Sequence, residues 1–103
     1  MTEKPENTGT IVYADPEIKE FIPEYLENRK RDADNILAKL KESNFADIKA
    51  LGHKMRGSGK LYGFAEISRI GEAIEQSAGI NDCEEIKKLR SRLSTYLDEV
   101  EVR

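Results

Sequence analysis

From Ile18 onward the apolar residues recur three and four positions apart, the period of an α-helix. Ile18, Phe21, Ile22, Tyr25, Leu26, Ala33, Ile36, Leu37 and Leu40 make the first such run. Pro23 interrupts it, which predicts a short helix ending near Phe21 and a longer one starting at Pro23. Asp15-Pro16 suits the start of the short helix: Asp15 as N-cap, Pro16 at the first helical position, where no amide is missed. Ser43-Asn44 closes the long helix, and Asn44 with Asp47 reads as the capping box of the next. That helix carries Phe45, Ile48, Leu51, Met55 and Tyr62 on one side, and Gly63 breaks it. Another begins near Phe64, turns Ile67, Ile70 and Ile74 inward, and stops at Ala78-Gly79. Asn81 or Asp82 caps the last, which holds Ile86, Leu89, Leu93, Tyr96, Leu97 and Val100. No strand alternation or hairpin signal follows residue 14. The expected fold is all-α: an antiparallel up-down four-helix bundle over residues 15–103, with a short extra N-terminal helix. Residues 1–14 are expected to be a flexible N-terminal tail, whose Ile11-Val12-Tyr13 patch could lie against the bundle.

Composition narrows the partners more than the fold. A chain of 103 residues, 38% hydrophobic and 36% charged, suits one small domain with one core. A net charge of -3 argues against nucleic acid as partner, since phosphate-tracking domains are basic on balance. No apolar run approaches the ~20 residues that cross a bilayer, and residues 1–10 lack the apolar stretch of a signal peptide. The single cysteine, Cys83, excludes an internal disulfide and fits a reducing cytoplasm. The expectation is a cytoplasmic monomer that binds neither nucleic acid nor membrane.

The candidate chemistry lies in the run from Leu51 to Phe64, which holds the only histidine, His53. On a wheel of about 100° per residue, Ile48, Leu51, Met55 and Tyr62 cluster opposite His53, so the imidazole points to solvent. Lys49, Arg56 and Lys60 fall within roughly 60° of it and form a cationic strip, while Lys54 lies about 100° round. Gly52, Gly57 and Gly59 forgo about 3 kcal/mol of helix propensity between them, a loss that an account from stability alone has to explain. Gly57 stands one turn after His53 on its face and leaves a gap beside the ring. Gly52, Gly59 and Gly63 form a second stripe that would let a neighbouring helix pack closely.

Position alone leaves an ordinary surface histidine open. A metal site is disfavoured, because no second His is present and the near neighbours are cations. Ser58 as a hydrolytic nucleophile is disfavoured too: it turns toward the core, and no G-x-S-x-G turn is present. Gly59-Lys60 lacks the other glycine and the Ser/Thr of a phosphate loop.

His53-x-Met55-Arg56-Gly57-Ser58, with Gly63 ten residues after the histidine, resembles the signature of histidine phosphotransfer (HPt) domains. Ala73-Ile74-Glu75 looks like that family's Leu-Glu element on the following helix, and the likeness runs over about residues 15 to 100. The resemblance implies that His53 accepts a phosphoryl group through Nε2 from a receiver-domain aspartate and relays it to another receiver. It implies Arg56 as the cation balancing the phosphoryl charge, in place of the more usual lysine. Gly57 takes the small position, and Glu75 would bond the other imidazole nitrogen. Lys60 joins the phosphoryl environment, and Lys49, Lys54, Arg56, Gly57 and Lys60 form the docking face. The implied partners are response-regulator receivers and hybrid sensor histidine kinases. No cofactor is implied for this chain, Mg²⁺ being expected only in the receiver, and no ATP-dependent kinase activity of its own. Phosphorylation by the ATP-binding domain of a chemotaxis-type kinase, and a helical adaptor that only binds receivers, are the alternatives.

Overall fold

Two helices start on the side chains that their sequence positions predict. Asn44 Oδ1 accepts the Asp47 amide (3.1 Å), and Asp82 Oδ1 accepts the Glu85 amide (3.1 Å). Each bond satisfies a first-turn donor that the helix leaves unpaired. Asp82 is therefore the cap of the last helix, while Asn81, at φ 55°, closes the preceding turn. The Asn44 box has an altered return contact. Asn44 donates its side-chain amide to Asp47 Oδ2 (3.0 Å), because its backbone amide already bonds Lys39 O (2.9 Å).

The computed structural model describes residues 10–103. It contains β1 (Ile11–Val12), a 3₁₀ turn (Lys19–Phe21), α1 (Ile22–Lys41), α2 (Phe45–Tyr62), α3 (Ala65–Gly79), α4 (Cys83–Glu99) and β2 (Glu101–Val102). The long helices match the predicted spans within two residues or so. The short helix expected after Asp15-Pro16 is reduced to turns: Asp15 Oδ1 accepts the Glu17 amide (2.9 Å), and one 3₁₀ turn follows. Pro23 is the reason. It has no N–H to return to Lys19 O, and the Ile22 amide takes that carbonyl at the tighter spacing. The resulting change of phase leaves Phe21 52% exposed, outside the core.

The four helices enclose one core whose fully buried members include Ile22, Ile36, Ile48, Met55, Phe64, Ile74 and Leu93. α1 and α3 each lie beside both α2 and α4, which leaves α1 and α3, and α2 and α4, on opposite sides of the core. At one end of α2 the rings of Tyr25 and Tyr62 stack at 4.3 Å, and Tyr25 and Phe64 at 5.7 Å. These contacts fasten α1 to the α2–α3 turn. No helix among the described residues is long and apolar enough to cross a membrane.

The two short strands pair in parallel, Ile11 with Glu101 and Val12 with Val102. Glu101 N donates to Thr10 O (2.7 Å), Arg103 N to Val12 O (2.9 Å) and Ala14 N to Arg103 O (2.9 Å). Residues 10–14, expected within a flexible tail, are thus pinned to the end of the chain. The remainder of the expected tail, 1–9, lies outside the described residues. Strands of two residues are too short to carry an alternating pattern, and their pairing partner lies at the far end of the sequence.

Candidate functional site

The site is built on α2 and completed by α3, and the backbones of these helices come unusually close. A Cβ on Gly52 would lie 2.7 Å from Glu75 N and from Gly71 O. One on Gly59 would lie 2.6 Å from Ser68 N, and one on Gly71 2.6 Å from Arg56 N. No side chain fits at those separations, so glycine at these three buried positions is what lets the helices touch. Buried Ser68 adds a hydrogen bond from Oγ to Arg56 O (2.8 Å). The Arg56 backbone is thereby seated on α3 through Gly71 and Ser68.

This close approach sets Glu75 beside His53. His53 Nδ1 and Glu75 Oε2 are 3.1 Å apart. An ionised carboxylate only accepts hydrogen bonds, so in the neutral ring Nδ1 carries the proton and Nε2 keeps its lone pair. The His53 side chain is 67% exposed, while that of Glu75 is 21% exposed. Glu75 Oε1 is buried and without a hydrogen bond among the described residues. The Arg56 guanidinium lies 3.5 Å from it, an ion pair without hydrogen-bond geometry. Arg56, itself 43% exposed, is held loosely.

His53, Arg56 and Glu75 are therefore brought together, from two helices. Gly57 is exposed, and a Cβ built there meets nothing within 4 Å, so the space beside the imidazole is open. Lys49, Lys54 and Lys60 are exposed and in no ion pair among the described residues. Lys54 lies toward α1, where its charge acts on Asp32. The charged group in contact with the ring is a carboxylate, and the cationic strip lies outside that contact.

Two glycine assignments change. Gly63 does not join the packing stripe. It ends α2 at φ 86°, the left-handed conformation that glycine adopts without a Cβ clash, and nothing lies within 4 Å of its would-be Cβ. The wheel treats Gly63 as helical, although the helix stops at Tyr62. Gly71, which the wheel of α2 could not include, takes that packing role from the other helix. Its signal in the sequence is its place one turn before Glu75, on the same face of α3.

Ser58 faces α1. Its hydroxyl donates to Met55 O (3.3 Å), accepts from Arg29 Nη1 (3.1 Å) and pairs with Tyr25 OH (3.0 Å). Arg29 also lies over the Tyr25 ring, 4.7 Å from its centre, and pairs with Asp32 at 2.8 Å. Burial pushes the Tyr25 hydroxyl above its usual range, against the opposing pull of Ser58 and Arg29. Burial likewise raises Asp32, with Arg29 and Lys54 opposing. This network fixes α1 on α2 and commits Ser58 to a structural role.

A broad groove lies elsewhere. About 890 Å³ in volume, it opens between the β1–β2 ribbon and the α3–α4 side, where Tyr13, Gly63, Arg69, Arg92 and Tyr96 line it. His53 does not line it and stands exposed on α2. No family model, curated protein or solved structure matches the chain. The reading of the site therefore rests on its geometry.

Proposed function

We propose that this chain is a histidine phosphotransfer protein, an antiparallel up-down four-helix bundle that takes a phosphoryl group onto His53 Nε2 from a receiver aspartate and relays it to another receiver. The observation that carries this reading is an exposed imidazole with Nδ1 on Glu75 (3.1 Å) and the open Gly57 position beside it. A histidine used inside a pocket needs no such clearance. One that must meet the reactive group of another protein does.

In this reading Glu75 fixes the tautomer, so the Nε2 lone pair is the nucleophile and faces the approaching partner. Arg56, only loosely paired with Glu75, turns to the incoming phosphoryl oxygens and offsets their charge. Gly57 lets the partner's backbone approach to reacting distance. Lys49, Lys54 and Lys60 attract the acidic rim of the receiver, and Leu61, exposed two turns beyond His53, adds an apolar contact. The interface is transient and of modest area. The receiver brings Mg²⁺, and this chain needs no cofactor. The protein acts in the cytoplasm as a monomer.

The test is incubation with a receiver phosphorylated on its aspartate. The wild type should gain acid-labile, base-stable label and His53→Gln none. Equal labelling of the two proteins would refute the proposal. Replacing the receiver with the ATP-binding domain of a histidine kinase as donor decides which partner supplies the group.

A further inference from the structure

Glu75 has a second consequence, which appears only after the ring is phosphorylated. We propose that Glu75 is a positioning residue that keeps the Nδ1 proton on phosphorylated His53, so that the phosphoryl group is held in a short-lived, transfer-ready form. This rests on the reading that His53 is phosphorylated at Nε2.

The chemistry follows from the contact at Oε2. In the free protein Nδ1–H donates to Glu75 Oε2 at 3.1 Å. When the Nε2 lone pair attacks phosphorus, an N–P bond forms. The bond from phosphorus to the aspartyl oxygen breaks, and the carboxylate leaves with the electron pair. The ring then carries one positive charge, with the proton still on Nδ1. Two outcomes are open to it. Without a carboxylate, Nδ1 releases its proton to water and the phosphorylated ring becomes neutral. To lose the phosphoryl group, that neutral ring must depart as an anion or recover a proton, and both are slow. With Glu75 in place, the positive ring faces a carboxylate that accepts its proton as a charge-assisted hydrogen bond. The group then leaves to a receiver aspartate as the electron pair returns to Nε2, and neutral imidazole remains. No proton moves in either direction. The same bond lowers the barrier to loss to water. In that case water adds to phosphorus, the N–P bond breaks, and both water protons depart with dihydrogen phosphate.

The local geometry favours this role for Glu75 above its neighbours. The carboxylate is anchored from behind by the Gly52–Gly71 approach, which fixes its backbone against α2. Its other oxygen, Oε1, is buried and accepts no hydrogen bond among the described residues, so no strong donor competes for the charge. Among the described residues, Arg56 at 3.5 Å is the one lysine or arginine paired with it. By helical position the charged groups on the ring's face of α2 are Lys49, Arg56 and Lys60. On α3, Glu72 stands exposed one turn before Glu75 and makes no ion pair among the described residues. The cations would by themselves drive the proton off the ring, and Glu75 is the group placed to oppose them.

The experiment loads His53 chemically, with phosphoramidate, so that no receiver is needed. Decay is followed by phosphorus NMR at neutral pH, and the state of Nδ1 by nitrogen NMR of the ring. The phosphorylated wild type should keep the Nδ1 proton. In Glu75→Gln, the same size but uncharged, the ring should lose that proton and the phosphohistidine should last about tenfold longer, the effect of losing one charge-assisted hydrogen bond. Glu75→Asp keeps the charge at greater distance and should fall between. Half-lives within about twofold of each other would overturn the inference, and so would a bare Nδ1 in the phosphorylated wild type. A wild type that loads and shows the Glu75 dependence, yet passes its phosphoryl group to no receiver, would support the inference and refute the relay reading. A wild type that does not load on His53 would refute both.

Discussion

α2 presents glycine to two different surroundings within eight residues. At Gly52 and Gly59 the absent side chain is filled by the backbone of α3. At Gly57 it is filled by nothing. The first kind is explained by the fold: it allows two helices to touch and sets Glu75 against His53. The second has no such explanation. An exposed helical glycine that contacts nothing costs about 1 kcal/mol relative to alanine and gains no packing in return. The difference separates what holds the molecule together from what keeps it open to another.

The sharpest way to break that comparison is to fill both kinds of gap. Gly57→Leu should lower phosphotransfer from a receiver at least about a hundredfold by misplacing the reacting groups. Its stability should hold or rise by up to about 1 kcal/mol. Transfer kinetics and thermal melts on the same sample check both, and an unchanged rate would remove the clearance argument. Gly52→Ala should do the reverse in stability. The added carbon meets the backbone of Glu75 and Gly71, so it should cost about 1–3 kcal/mol. That lowers Tm by about 4–8 °C per kcal/mol in a domain of this size. Loss of the His53 contact with Glu75 should accompany it and be visible in the ring nitrogen spectrum. Gly63→Ala should cost about 1–2 kcal/mol through the left-handed backbone alone, with the transfer rate unchanged, which places Gly63 outside both classes.

The smallest effect lies away from both faces. Burial, reinforced by the charges of Glu66 and Tyr25, pushes the Tyr96 hydroxyl up to about 12. The unfolded chain releases this proton near the ordinary 10.0. The group's contribution to stability is therefore intact below that pH and declines as pH rises toward 12. Ultraviolet titration should find Tyr96 ionising well above the ordinary tyrosine range, and Tyr96→Phe should flatten the alkaline limb of the stability curve.

Most of the helical frame was legible because each cue acts locally. A period of three and four, a capping asparagine or aspartate and a terminal glycine work within a turn or two of the residues they govern. Contacts that depend on a partner were less so. Gly71 is invisible until α3 is laid on α2, and Gly63 is misread when the wheel runs past the end of the helix. Ser58 reads as inward, yet its role comes from Tyr25 and Arg29 on another helix. At the candidate site His53, Arg56, Gly57 and Glu75 were all named from the chain. The helical wheel of α2 surrounds His53 with cations only, and the carboxylate at the ring was expected from the family resemblance alone, because Glu75 belongs to another helix.

The β1–β2 ribbon joins residues 10–12 to residues 101–103, so the backbone comes close to being a ring. Its pairing spans almost the whole described chain, and closing so long a loop carries the largest entropy cost of any contact in the fold. It should therefore form after the helices have assembled, as a clasp on a finished bundle. A clasp of this kind also makes the order of the helices negotiable. Joining residue 103 to residue 10 through a flexible linker long enough to run back along the parallel pair, and opening the chain at Ser43, would keep every helix and the α2–α3 seam. A circular permutant built so should fold to the same bundle, with the clasp changed from the slowest pairing into a covalent hinge.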